Sequence, residues 1–368
     1  MVRLARWSLH FYKLAYRREI VWANAVEKEG LYALLLLEGD NGARGIAEGT
    51  IKATWSGVSP NSLKASFAEV LMPRLAGVDV SDPDVVAKAL AGIPENRLAK
   101  GMIDTAAWTL HAATIGQPLW RLWGGKGEVE LTWAITRQPP AVMAREAGEV
   151  CEQYGFRTLK VKGGQGVETD LIAMREIRAA VGDGVALYVD ANSAYSRDEA
   201  AAYVNAIAGA GATVAEDPCA LWPDEAFSAL VVASPIPLLV DRNCTSVLDA
   251  QAFLGKGDAG TVALSTKPGR IGLSEARAIN DLASRRGARV AVGLYAESAL
   301  GSLINLQQAA ALAPAQTLVA AEQTFFLQLQ EQVTGTLPAI KAGCLRLPTE
   351  PDLAALVDWQ RLEQLQRP

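Results

Sequence analysis

The stretch ALYVDAN, residues 186–192, is an apolar run that ends in a carboxylate, Asp190. ATVAEDP (212–218) repeats the shape and ends its apolar run at Glu216. PIPLLVDRN (235–243) does so at Asp241, and TVALSTKP (261–268) ends instead in a lysine, Lys267. The four charges follow one another at 26, 25 and 26 residues. A strand of about five residues, a helix of about a dozen and two short loops fill such an interval.

The intervals carry helix signals. Ser196 and Glu199 in YSRDEAAAYVNAIAGAG form a capping-box pattern ahead of an apolar run. In LSEARAINDLASRRGAR, Ser274 reads as an N-cap and Gly287 as a C′ glycine. The pattern extends upstream through the strand RTLKVKGG and the helix ETDLIAMREIRAAVGDG, with VELTWAI (129–135) as the first strand. Downstream, ARVAVGLYAE and TLVAAEQTF add the last two of eight strand candidates. Strands that are apolar throughout are buried on both faces, as in a parallel sheet. Eight βα units in about 210 residues predict an α/β fold, a TIM-type (β/α)7β barrel. A doubly wound sheet is the alternative, and no G-x-G-x-x-G follows any strand to support it.

In a TIM-type barrel the C-terminal strand ends share one mouth, so residues 190, 216, 241 and 267 form an arc around it. The barrel occupies residues 127–337. Residues 1–126 read as an α+β domain. GLYALLLLEGDNGARGIAEG gives two strands joined at GDNG, and PDVVAKALAGI and NRLAKGMIDTAAWTLHAAT give helices. The tail, 338–368, holds no further barrel unit and is expected to pack back.

Composition narrows the partners. Half the 368 residues are apolar, a fifth are charged and the net charge is −5, with no Lys/Arg-rich run. Nucleic acid is excluded as a partner on that ground. No run approaches eighteen apolar residues, so no membrane span is expected. The N-terminal stretch lacks a signal-peptide core, which argues for the cytoplasm. Four cysteines stand far apart without a C-x-x-C pair, and two histidines are too few for a histidine-built metal site or a Ser-His-Asp triad.

Asp190, Glu216 and Asp241 offer a hard, all-oxygen ligand set suited to Mg²⁺, or Mn²⁺ in its place. Lys160 and Lys162 alternate on one strand and face the same way, and Lys267 stands four strands further round, on the opposite side of the mouth. Near a divalent cation and a second ammonium, a lysine gives up its proton more readily and can serve as a base. The expected chemistry is proton transfer beside a carboxylate, with the metal stabilising the enediolate.

At this point the residues resemble the enolase superfamily, specifically its muconate lactonizing enzyme subgroup. LKVK is similar to the subgroup's K-x-K, residues 190, 216 and 241 match its metal ligands, and STKPGRIG matches its sixth-strand lysine. NRLAKGMIDTAAWTLHAATIGQPLWRLWGG is similar to the helix leading into its barrel, and GLYAESALGS, with Glu297, to its seventh-strand region. Glu322 in LVAAEQTFF matches an acid on the eighth strand. The resemblance implies an α+β capping domain, formed by 1–126 and the tail, that closes over the mouth. It implies substrate contacts from the loop near Arg17–Trp22 and from TIKATWSG (50–57), with Trp22, Lys52 and Trp55 as candidates. Asn192 and Arg242 at the strand ends are further candidates.

The chain departs from the subgroup's D-E-S, having Asp241-Arg242-Asn243. Arg242 reverses a local charge, either weakening the metal site or supplying a cation for a second substrate carboxylate. The expected function is an isomerase acting on a small carboxylic acid, either a muconate-type cycloisomerase or a racemase/epimerase. A syn-dehydratase such as o-succinylbenzoate synthase is the alternative, and a non-catalytic acid-binding barrel a third reading. A homo-oligomer is expected from the resemblance alone.

Overall fold

In the computed structural model, which describes residues 1–22 and 25–366, two architectures share one chain. The last two residues of the expected tail lie outside the described residues. The N-terminal part is an antiparallel sheet of β1 (Leu4–Val21), β2 (Val26–Gly39) and β3 (Arg44–Ile51) in that order. The β2–β3 turn falls at the expected GDNG, where Gly42 adopts φ 82°, a conformation that costs glycine little. Helix α1 (Arg97–Ile115) lies on β3 and buries Leu98, Met102, Ala106 and Leu110 at helical spacing against the sheet.

The second part is a parallel sheet of seven strands. They are β4 (Trp133–Ile135), β5 (Thr158–Lys162), β6 (Ala186–Asp190), β7 (Ala212–Glu216), β8 (Leu238–Val240), β9 (Val262–Thr266) and β10 (Val290–Val292). Each pairs with the next in chain order, with helices between. This is the expected α/β architecture, a curled parallel sheet with a separate antiparallel domain. The expected eighth strand, TLVAAEQTF, is not a regular strand. It makes single parallel bridges to both edges of the sheet, Thr317 to Val290 and Ala321 to Leu131. VELTWAI also divides. Glu128–Glu130 pairs with Cys344–Arg346 of the tail, and only Trp133–Ile135 joins the parallel sheet.

Period-2 alternation explains how this sheet builds a site. Tyr188, Val214, Leu239, Ala263 and Ala291 come from successive strands and form one apolar inner layer with Val319. Two residues further along each of the first four strands stand Asp190, Glu216, Asp241 and Ser265. The residues between, such as Val189, Ala215 and Val240, belong to the outer core beneath the helices. A strand therefore reads as unbroken apolar sequence until its inward face reaches the mouth.

Two cap assignments hold and one does not. Ser196 Oγ accepts from Glu199 N and the Ser196 N–H donates in return to Glu199 Oε2, and Gly287 has φ 70° after the helix Leu273–Arg285. That helix is capped by Gly272, not by Ser274. Ser274 lies inside the first turn, where its N–H and hydroxyl donate to Asp104 of α1 and its hydroxyl accepts from Trp108. The tail packs on the N-terminal domain, with Leu353, Val357 and Leu362 meeting Tyr12 and Leu14 of β1. All four cysteines are free. Among the described residues no helix is long and apolar enough to cross a membrane.

Candidate active site

The seven residues expected at the mouth are brought together. Parallel register sets Lys162, Asp190 and Glu216 side by side across β5, β6 and β7. Lys160 is 1% exposed, and its Nζ lies 3.1 Å from Asp190, 2.7 Å from Glu216 and 3.0 Å from Glu322. Lys162 Nζ donates to Asp190 Oδ2 at 2.6 Å, and Lys267 pairs with Asp241. Each candidate metal ligand thus holds a lysine.

The charges set one another. Burial alone would lower Lys160, but Asp190, Glu216 and Glu322 together raise it well above the ordinary lysine value, so it stays an ammonium. Burial would raise Asp190, and Lys160 and Lys162 reverse that and hold it ionised. Asp241 behaves likewise: burial is overcome by Lys267 and Arg270, which bring it down to about 2. Glu216 goes the other way, raised by burial and by Asp190.

Reasoning from the sequence missed four residues here. Tyr188 shares the inward face with Asp190 in ALYVD, which is signal enough to find it. Its hydroxyl donates to Glu322 at 2.7 Å. Asp217 should point outward by alternation, yet its φ of 37° turns it back. Its carboxylate accepts from Asp241 N at 3.1 Å and Arg242 N at 2.8 Å. Burial and its neighbours Asp241 and Asp190 push it up to about 7. Arg270 donates to Asp241 O and Cys244 O. Arg137 donates to Gly163 O and Asn192 Oδ1.

The mouth opens into a cavity of about 660 Å³ roofed by the N-terminal domain. Trp22, Trp55, Asn192 and Arg242 line it, as expected. Lys52 and Glu297 do not. Lys52 is buried behind the wall, paired with Glu27, its Nζ 4.0 Å over the Trp22 ring and 4.7 Å over Trp55. It supports the two indoles instead of facing a ligand. Glu297 lies beneath the site, accepting from Tyr295 N at 2.6 Å and Asn305 Nδ2 at 2.9 Å, and burial pushes it up to about 7. Arg17–Val21 are strand, not loop, and of 50–57 only Ala53–Ser56 form a helical turn.

Among the described residues no group of three His, Cys, Asp or Glu side chains stands assembled around an ion position. The donor chemistry nevertheless fits a divalent cation. Asp241 Oδ1 is a buried hard oxygen with no hydrogen-bond donor, its nearest cation Arg270 at 3.6 Å, and Glu216 Oε2 meets only the Lys160 ammonium, at 2.7 Å and out of hydrogen-bond alignment, an arrangement costly to leave so poorly satisfied.

Comparison with known proteins places this geometry. Residues 13–124 match the mandelate racemase / muconate lactonizing enzyme N-terminal domain family, and residues 142–361 match the enolase C-terminal domain-like family. The chain belongs to the enolase superfamily, in its muconate lactonizing enzyme-like group. It is 27% identical over 353 residues to o-succinylbenzoate synthase of Geobacillus stearothermophilus, covering 95% of this chain and 88% of that one. It is 26% identical over 362 residues to chloromuconate cycloisomerase of Cupriavidus pinatubonensis, covering 96% of each. The superfamily fold is matched over 100% of both chains by muconate lactonizing enzyme from Pseudomonas fluorescens complexed with muconolactone, at TM-score 0.91 and 21% identity.

Proposed function

We propose that this superfamily member is a divalent-metal-dependent isomerase that moves a proton at the carbon next to a substrate carboxylate. It would either cycloisomerise a muconate-like diacid or racemise or epimerise an α-carbon. The observation that carries the reading is the placement of Lys162 and Lys267. They line one cavity from β5 and from the end of β9, with three strands between them. A substrate between them meets one amine on each face.

Asp190, Glu216 and Asp241 would hold Mg²⁺, with Mn²⁺ as a substitute. Bound there, the cation would stabilise negative charge on a substrate carboxylate as its α-carbon loses a proton. The lysines do the rest. Lys162 and Lys267 side chains are 22% and 12% exposed and reach the cavity, so one removes the proton and the other returns it or steadies the charge. Lys160 is sealed among three carboxylates and acts through its charge. Glu322, which lines the cavity, and Tyr188, which donates to it, hold Lys160 in place.

A lyase reading, syn-dehydration with the same residues, is favoured by the o-succinylbenzoate synthase relative that spans 95% of the chain. One experiment separates the outcomes. The protein is incubated with Mg²⁺ in D₂O and a panel of diacids, N-acyl amino acids and hydroxy acids, and products are identified by NMR. Deuterium should enter the α-position, and Lys162→Ala should abolish this for at least one stereochemical face. Product identity then divides isomerase from lyase. Turnover that persists in excess EDTA, or no exchange with any acid, refutes the proposal.

A further inference from the structure

We infer that Gly293 is a positioning residue for Lys267: the side chain it lacks leaves the slot in which the lysine's stem lies, and that slot aims the amine at one face of the substrate. This deepens the proposed function and rests on it, since it concerns one of the two amines that flank the substrate.

Layering explains the slot. Beyond the apolar layer of Tyr188, Val214, Leu239, Ala263 and Ala291, the next inward residues along the same strands are Asp190, Glu216, Asp241, Ser265 and Gly293. Four of them fill the floor of the mouth with side chains, and Gly293 leaves a gap. Register puts the gap beside the lysine. Thr266 of β9 pairs with Val292 of β10, so Lys267 and Gly293 are the next residues along the two. A Cβ on Gly293 would come 2.8 Å from Lys267 Cε, 3.2 Å from Lys267 Cγ and 2.8 Å from Ser265 Oγ. The stem therefore lies across the glycine, and the amine at its end pairs with Asp241.

Backbone conformation is not what calls for glycine here. The φ of Gly293 is not positive, so its backbone suits any residue and only space excludes a side chain. Nor can that backbone step back. Its N–H donates to Thr266 O at 2.9 Å and its carbonyl accepts from Gln323 Nε2 at 2.7 Å. The preceding carbonyl, on Val292, accepts from Glu322 N at 2.9 Å. Gln323 is itself fully buried, with Asn305 Nδ2 at 3.5 Å from its Oε1, and Asn305 also donates to Glu297 Oε1 at 2.9 Å. Glu297, Asn305 and Gln323 thus form a buried strut under the glycine.

Of the two side chains that a new methyl group would meet, Ser265 can yield. Its Oγ has no hydrogen-bond partner among the described residues and is free to turn. Lys267 cannot yield without redirecting its amine. Moving Cε from 2.8 Å to an ordinary contact of 3.4 Å shifts it by at least 0.6 Å. A misplacement of about 1 Å at a reacting group costs about 100-fold in rate.

The test compares four full-length proteins: wild type, Gly293→Ala, Lys267→Ala and the double variant. The first measurement is the urea midpoint without ligand. Gly293→Ala should lower it in the wild-type background and leave it unchanged in the Lys267→Ala background, because alanine at 267 has neither Cγ nor Cε to displace. Should Gly293→Ala fail to fold, the double variant should fold. The second measurement is α-proton exchange in D₂O with Mg²⁺ and diacids, N-acyl amino acids and hydroxy acids, the chiral ones as separate enantiomers. Gly293→Ala should slow exchange about 10- to 100-fold on the face that Lys267→Ala also impairs, and leave KM and the Lys162 face within about threefold of wild type. Added to Lys267→Ala, it should cost nothing further. An equal effect of Gly293→Ala on the midpoint in both backgrounds, a double variant that does not fold, an equal loss on both faces or an unchanged rate overturns the inference, while exchange by wild type still upholds the proposed function. No exchange by wild type with any acid overturns both.

Discussion

Replacing Lys160 with methionine removes one charge, and the atom that carries it, from the most crowded part of the site. Its Nζ is within 3.1 Å of Asp190, Glu216 and Glu322, all three nearly fully buried. Asp190 keeps Lys162 and its bonds from Asn192, and Glu322 keeps the Tyr188 hydroxyl. Among the described residues the Glu216 carboxylate has no other donor than Lys160, whose bond to Oε1 is 2.7 Å. Breaking a buried pair by removing one partner costs about 3–5 kcal/mol, because the remaining charge is uncompensated. Lys160→Met should therefore lose about that much stability in urea unfolding with chelator present. The pH dependence has a definite sign. The folded carboxyl value of Glu216 is already raised, by burial first and by Asp190 next, and loss of Lys160 raises it further. A carboxyl whose folded value exceeds its unfolded value penalises folding above the folded value, and the penalty fades as pH falls through it. The deficit against wild type should be large at pH 8 and smaller at pH 5. An unchanged urea midpoint, or a deficit equal at both pH values, would refute the idea that Lys160 neutralises Glu216.

Two further outcomes are expected elsewhere in the chain. A Cβ on Gly45 of β3 would come 2.1 Å from Ala106 O and 2.5 Å from Leu110 Cβ of α1. Gly45→Ala should then cost at least about 2 kcal/mol by forcing the helix off the sheet, and a urea midpoint equal to wild type would disprove that contact. Asp104, held by Ser274, is pushed by burial from 3.8 up to about 6. Its charge thus opposes folding at neutral pH by about 3 kcal/mol, relieved as pH falls from about 6 towards 4. Asp104→Asn should abolish that relief, so its stability should fall relative to wild type between pH 7 and pH 4.5. Parallel pH profiles would rule it out.

What was legible in the sequence follows from the range of the interactions involved. Parallel strands buried on both faces read as apolar runs, and the fold brings their C-terminal ends to one mouth. The chain order of Lys162, Asp190, Glu216, Asp241 and Lys267 is therefore also their order in space. No tertiary knowledge was needed to group them. Lys52 and Glu297 lie within the right segments, but one-dimensional position does not say which side of a wall a residue occupies. Lys52 is drawn behind Trp22 and Trp55 by Glu27, and Glu297 is drawn beneath the site by Asn305. Ser274 has the sequence of an N-cap but forms its bonds with Asp104, 170 residues away.

Asp217 shows the limit of the alternation rule most clearly. The strand ATVAE obeys period 2, which would put residue 217 on the outer face. Its backbone enters the left-handed region at φ 37°, a conformation costing on the order of 1 kcal/mol for a residue other than glycine. The carboxylate is turned back to bind the N–H groups of Asp241 and Arg242 on the following turn. Two backbone hydrogen bonds, each worth roughly 1–3 kcal/mol when the acceptor is charged, are sufficient to offset that strain. The turn so fixed carries both a candidate metal ligand, Asp241, and the cavity-lining Arg242. A nearly buried residue at the cavity's edge thus sets the direction of its two neighbours Asp241 and Arg242, and only the folded chain reveals it.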